Sequence, residues 1–180
     1  MAAPPPYKAT AGRANRAGTS YLYLATDDHT AIAEVRPHPN QVISVGTFVN
    51  QEMIRLADFE RVTITECSSS DDELDKFRLI HSIARAFAEP LPPEQRWRYA
   101  LTQLLADTLR RMKYGGIRFG SSVAAGANIT AFDPTLWKSA GKTRVVVVKE
   151  LRYCFEALPV VSDSDRHKFD YLHEELPEKI

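Results

Sequence analysis

Long hydrophobic runs are missing from this 180-residue chain. No stretch approaches the roughly 18 consecutive apolar residues of a membrane span, and the opening MAAPPPYKAT has neither the charged nor the apolar region of a secretory leader. Cysteine is scarce as well. Cys67 and Cys154 stand without CxxC or His/Cys spacing, which excludes a disulfide framework and reads as two buried thiols in a reducing, cytoplasmic setting. In that setting Asn128-Ile129-Thr130, a formal glycosylation sequon, is not expected to be modified. Neither sign of charge prevails: Lys+Arg number 23 and Asp+Glu 23. No global field therefore draws the chain to nucleic acid or to an anionic membrane, and neither is an expected partner.

Familiar ligand signatures are also lacking. There is no GxGxxG, and Gly141-Lys142-Thr143 ends like a P-loop but has Leu136 where the first glycine belongs. It reads as a turn before a strand. His29, His38, His81, His167 and His173 lack the spacing of a metal site, so no metal is expected. Ser68-Ser69-Ser70 has no nucleophile elbow around it and reads as a loop that ends in a helix cap.

What is present is an irregular alternation of strand and helix patterns, and it predicts an α+β fold. The length suits a compact single domain with a mixed or antiparallel sheet and flanking helices. Ser20 to Ala25 reads as a strand, then Thr26 or Asp27 caps a helix with Ala31, Ile32 and Val35 inward, stopped by Pro37. Glu34 lies at the edge of that apolar stripe. Gln41 to Val49 predicts a strand with Ile43, Val45, Thr47 and Val49 fully interior. Ile54 to Ile64 reads as an irregular connection with a short strand around Val62 to Ile64. Ser70 to Glu73 is a capping box, and Leu74, Phe77, Ile80, Ala84 and Phe87 follow as an inward stripe. A second helix is expected from Glu94 to Lys113 with Trp97, Leu101, Leu104, Thr108 and Met112 inward, ended by Gly115-Gly116. Ile117 to Phe119 and Ile129 to Phe132 predict short strands around a small-residue loop, and Thr143 to Lys149, with four consecutive valines, predicts a strand covered on both faces. The expected organisation is an N-terminal extension over 1–11, a catalytic domain over 12–160 and a charged tail over 161–180. Pro4-Pro5-Pro6 makes a poor central strand.

One ordered pattern runs through these elements. Gly12-Arg13-Ala14-Asn15, Leu22-Tyr23-Leu24-Ala25, Thr30 to Val35, Thr102-Gln103 and Gly116 to Ser122 followed by Asn128 occur in this sequence. Together they resemble the RES domain family, over roughly Gly12 to Asp133. The resemblance implies a fold similar to ADP-ribosyltransferases and NAD as substrate rather than cofactor, with inorganic phosphate a candidate co-substrate. It further implies an NAD-degrading toxin held inactive by an antitoxin with a helix-turn-helix part; self-association is left open. The family arginine falls on Arg13, its tyrosine on Tyr23, its glutamate on Glu34 and its serine on Ser121, with Ser122 adjacent. Arg16 stands as a second basic candidate. Two other readings stay open: a RES-like binding module without turnover, or part of a longer protein, and transfer of ADP-ribose to a protein.

The chemistry implied by the resemblance suits these residue types. Breaking the nicotinamide–ribose bond develops oxocarbenium character, which an ionised carboxylate such as Glu34 stabilises. Arg13 offers a permanently charged fork of donors for pyrophosphate. Tyr23 presents a ring to the nicotinamide or ribose, and Tyr21 shares its strand face. Ser121, Ser122 and Asn128 flank a loop of small residues that permits close backbone approach. No histidine base accompanies Ser121, so ligand contact or alignment of Glu34 is its expected role, not nucleophilic attack.

Overall fold

The fold is described from a computed structural model covering residues 2–60, 70–89, 91 and 93–152. Within residues 2–149 the chain forms β1 (Leu22–Ala25), α1 (Asp28–Glu34), β2 (Val42–Asn50), β3 (Leu56–Asp58), α2 (Asp71–Ala88), α3 (Tyr99–Arg111), β4 (Gly116–Gly120), β5 (Ala127–Ala131) and β6 (Trp137–Val147). The architecture is α+β, with two sheets. One has strand order β1-β5-β4-β3, and the other pairs β2 with β6. In the first sheet only β3–β4 is parallel; β1–β5 and β4–β5 are antiparallel. Pro6–Lys8 forms a short 3-10 turn, in keeping with prolines that supply no ladder donor.

The helix starts follow local chemistry. Asp27 accepts the Thr30 backbone N–H and Ser70 accepts that of Glu73, so both helices begin where their capping side chains dictate. Arg36, at φ 49°, takes a left-handed conformation after α1, and Pro37 follows it.

Several inward faces differ from the hydropathy pattern. On α1 the buried residue is Thr30, and Val35 is exposed. The Thr30 hydroxyl donates to Asp27 at 2.8 Å, and this polar pair lies against Gly126 before β5, while Ala31 and Ile32 are half-buried. On α2 only Phe87 is buried; Phe77 is half-buried against the His81 ring and Ile80 is exposed. The predicted second helix divides into a 3-10 segment, Pro93–Arg98, and α3. Its predicted inward stripe points to solvent: Trp97, Leu101, Leu104, Thr108 and Met112 are all exposed. Thr102 and Ala106 face inward instead, because this face must hydrogen-bond a distant loop and approach it closely.

The ribbon of β2 and β6 also corrects an expectation. Val45 alone is buried in β2, Thr47 and Val49 are exposed, and Val145 of the valine run is 67 % exposed. Among the described residues the two strands pair only with each other, which leaves most of their surface in solvent. Gly141, at φ 73°, lies inside β6 where the register shifts opposite Val45 to Thr47, so the predicted turn is a bulge. The expected strand at Val62 to Ile64, Cys67, Cys154 and the tail over 161–180 lie outside the described residues.

The core joins Ala14, Tyr21, Phe87, Ala106, Ile117, Phe119 and Phe132, with Ile83, Leu105 and Leu109 packed against it. Tyr21 meets Phe132 at 5.0 Å between centroids and Phe87 meets Phe119 at 5.5 Å, the tilted geometry that aromatic quadrupoles favour. α2 and α3 thus pack on the sheet face that carries Ile117 and Phe119.

Candidate active site

Strand register decides what can meet on that face. Residues directly opposite in an antiparallel pair project to the same side. Ala25, Asn128 and Phe119 lie opposite one another across β1, β5 and β4, as do Tyr23, Thr130 and Ile117. Tyr23, Asn128 and Phe119 therefore share the helix-packed face.

Glu34 reaches the rim of this face from the last residue of α1. Its Oε1 accepts from Ser121 Oγ at 2.7 Å and from Asn128 Nδ2 at 2.5 Å. A carboxylate at a helix C-terminus faces the negative end of the helix dipole, so these donors offset an unfavourable position. Ser121 Oγ also accepts the Val123 N–H at 3.2 Å, and Ser121 N–H donates to the Gly126 carbonyl at 3.0 Å. Those contacts close the β4–β5 loop around the serine. Glu34 Oε2 makes no hydrogen bond among the described residues.

Gly126 explains how α1 comes so near. A Cβ there would overlap Asp27 Oδ2 and Thr30 Oγ1, so only glycine lets the N-terminal turn of α1 sit on this loop. The β1–α1 junction is fastened to β5 as well: Thr26 N–H donates to the Ala127 carbonyl at 2.9 Å, and Ala127 N–H to Thr26 Oγ1 at 3.0 Å.

A second network holds Arg13 and Tyr23. The Tyr23 hydroxyl donates to Asn15 Oδ1 at 2.7 Å and accepts the Ala14 N–H at 3.2 Å. A Cβ on Gly12 would lie 2.9 Å from that hydroxyl and 2.6 Å from Asn15 Oδ1, so glycine permits the approach. Tyr23 is 45 % exposed, yet its hydroxyl is enclosed, and burial pushes the phenol up to about 12 against the lesser pull of the Ala14 N–H and Arg13. It stays protonated at neutral pH. Arg13 is half-buried, with its guanidinium carbon 5.6 Å from the Phe119 ring centroid and Nη1 donating to the Phe87 carbonyl. Its other donors make no hydrogen bonds among the described residues. Because Phe119 is the register partner of Asn128, the guanidinium and the Glu34 carboxylate flank one residue pair.

Arg13, Tyr23, Glu34, Ser121 and Asn128 therefore belong to one face and its rim. The other candidates do not join them. Arg16 is exposed and pairs with Asp107 at 3.3 Å. Tyr21 lies in the core; its hydroxyl makes no hydrogen bond of ordinary geometry among the described residues, and burial raises its pKa in the field of Arg110 and Asp107. Ser122 is exposed, and Ser121 is the serine that reaches Glu34. Three residues given no separate role from the sequence prove structural: Asn15, Thr102 and Gln103 all bond the Arg13 loop or its neighbours. Their signal was present in the ordered pattern, where polar Thr102-Gln103 interrupts a helix.

An open cleft of about 890 Å³ lies toward the other end of β1, lined by Pro4, Tyr21, Arg110, Phe132 and Trp137. Arg13, Tyr23, Glu34, Ser121 and Asn128 do not line it. Among the described residues no cluster of three or more His, Cys, Asp or Glu could hold a metal ion, and no helix is long and apolar enough to cross a membrane.

A fixed cation, a half-open aromatic ring and an oriented carboxylate can bind a molecule that carries an anionic group and develops positive charge elsewhere. Searches of curated proteins and of solved structures return no match to this chain. A scan against protein-family models matches the RES domain over residues 1–155, a span holding every residue of the cluster, and the chain belongs to the RES domain family.

Proposed function

We propose that this protein degrades NAD, cleaving the nicotinamide–ribose bond by phosphorolysis or hydrolysis on an ADP-ribosyltransferase-like scaffold. Membership of the RES domain family supports an NAD-directed activity. The observation that carries the reading is the state of Glu34: Oε1 is tied by Ser121 and Asn128, while Oε2 makes no hydrogen bond among the described residues.

In the proposed reaction the C1′–N bond breaks and its electron pair passes to the pyridinium nitrogen, releasing neutral nicotinamide. Positive charge moves onto the ribose. The Glu34 carboxylate stabilises that oxocarbenium character more than it stabilises the uncharged ground-state sugar, and this differential lowers the barrier. Phosphate or water then bonds to C1′; water loses its proton to the solvent. Arg13 holds the pyrophosphate with the donors that Phe87 does not use. Tyr23, protonated throughout, offers a half-exposed ring and no base. Ser121 and Asn128 act through Glu34.

The physiological reading is the toxic half of a cytoplasmic toxin–antitoxin pair, with an antitoxin that bears a helix-turn-helix part. The test is NAD consumption by the purified chain with and without inorganic phosphate, with mass analysis of products, beside Glu34→Gln. Glu34-dependent loss of NAD is expected, with ADP-ribose 1-phosphate marking phosphorolysis and ADP-ribose marking hydrolysis. A folded chain that leaves NAD intact, or a Glu34→Gln variant as active as wild type, sinks the proposal.

A further inference from the structure

We infer that Gln103, with Thr102 beside it, is a positioning residue that sets the Arg13 guanidinium from helix α3, an inference that rests on the proposed anion-binding role of Arg13. The loop before β1, punctuated by Gly12 and Gly18, is closed by its own backbone bonds, Gly12 N–H to the Asn15 carbonyl and Gly18 N–H to the Ala9 carbonyl, each at 2.9 Å. What anchors it to the sheet-packed helices comes from far along the chain. Gln103 Nε2 donates to the Gly12 carbonyl at 2.9 Å and to the Asn15 carbonyl at 3.1 Å, and Thr102 Oγ1 donates to the Arg13 carbonyl between them at 2.5 Å. Two adjacent side chains of one helix thereby hold three carbonyls on both sides of the arginine.

The loop's inner surface is held at the same time. Asn15, 5 % exposed, donates through Nδ2 toward the carbonyls of Thr10, Arg16 and Thr19, and its Oδ1 accepts the Tyr23 hydroxyl. The Asn15 carbonyl also accepts the Gly12 N–H at 2.9 Å, so the Gln103 bond reinforces a turn already closed on itself. This turn fixes where the Arg13 side chain leaves the backbone, hence its seat between the Phe87 carbonyl and the Phe119 ring. α3 presents Thr102 and Gln103 here on the face that also packs Leu105, Ala106 and Leu109 against the core, while Leu101 and Leu104 stay in solvent, so hydrogen bonding and apolar burial select the same face.

Support of the fold and positioning of the arginine predict different kinetics. Loss of fold support lowers the active fraction, so kcat falls and KM holds. Misplacement of an anion-binding guanidinium weakens substrate binding, so KM rises with kcat little changed. The experiment compares wild type, Gln103→Met, Thr102→Val and Thr102→Ser in steady-state NAD kinetics, with ¹⁵N NMR of the Arg13 Nε–H, assigned by its loss in Arg13→Lys. Expected for Gln103→Met and Thr102→Val are a KM increase of roughly fivefold or more with kcat within about twofold, and a shifted Arg13 resonance. Thr102→Ser, which keeps the hydroxyl, retains wild-type values. An unmoved Arg13 resonance, or a fall in kcat at constant KM, overturns the inference. If the wild type leaves NAD intact, the proposed function fails while the resonance still decides the positioning; if Gln103→Met does not fold, Thr102→Val carries the test.

Discussion

Glu34 is useful to a reaction only if its charge is both present and aimed, and the donors on Oε1 supply the aim. A hydrogen bond to a charged group is worth about 1.5–3 kcal/mol. If that orientation operates mainly in the transition state, Ser121→Ala or Asn128→Ala should lower kcat for NAD on the order of tenfold or more. Ser122→Ala should leave kcat unchanged, because that side chain is exposed and bonds nothing in the cluster. Equal kinetics for the two serine variants would remove Ser121 from the site. Tyr23 gives a second test, through pH. Its phenol is raised to about 12, whereas an unfolded tyrosine ionises near 10. Above about pH 10 the unfolded chain releases this proton first, so the stabilisation is complete below that pH and is lost as pH rises toward about 12. Tyr23→Phe should flatten the alkaline fall seen in urea melts, leaving the share due to Tyr21, which is also raised. An alkaline limb identical in both proteins would show that the Tyr23 hydroxyl is not held as described.

At the scale of elements, α1 reaches the β4–β5 loop only because residue 126 lacks a side chain. Gly126→Ala should push the helix away, lowering both Tm and NAD turnover; a variant with wild-type turnover would separate α1 placement from activity. Phe87, fully buried between Phe59 and Phe119 rings, anchors α2. Phe87→Ala should cost about 3–5 kcal/mol in urea unfolding through the cavity it leaves, and Phe77→Ala much less, since that ring is only half-buried. Features governed by nearest neighbours were legible in the sequence: the Asp27 and Ser70 caps and the β4–loop–β5 unit. Arg13, Tyr23, Glu34 and Ser121 were marked as candidates by the family resemblance, not by local pattern. The inward face of α3 was not legible, because the helix offers two leucine-bearing stripes, Leu101 with Leu104 and Leu105 with Leu109, and what marks the second, the carbonyls that Thr102 and Gln103 satisfy, lies in a loop distant in sequence. The three-residue β3 escaped for a related reason. It is too short to show a period, and its parallel pairing with β4 is a long-range choice. The valine run misled in the opposite direction, for β-branched residues suit a strand whether or not both faces are covered.

At the scale of the whole molecule, charge and apolar surface act together. The chain carries no formal net charge at pH 7 and has a pI near 7.0, so mutual repulsion between molecules is weakest at neutral pH. Exposed apolar side chains then have least to oppose their contact: Trp97, Leu101, Leu104 and Met112 around α3, and Val42, Val145 and Val147 on the ribbon. Light scattering by the purified protein should peak near pH 7 and fall when pH moves about two units either way with the fold intact. Leu104→Lys combined with Met112→Lys adds two positive charges to the α3 surface and removes two apolar groups. Neither change opposes the helix, since lysine matches leucine and methionine as a helix former, and Met112 caps the C-terminal end of α3, where a cation is stabilised. Scattering at pH 7 should therefore drop with no loss of Tm. If scattering drops only when the ribbon valines are replaced, the self-contact is made by β2 and β6; if it does not depend on pH, balanced charge is not what permits it.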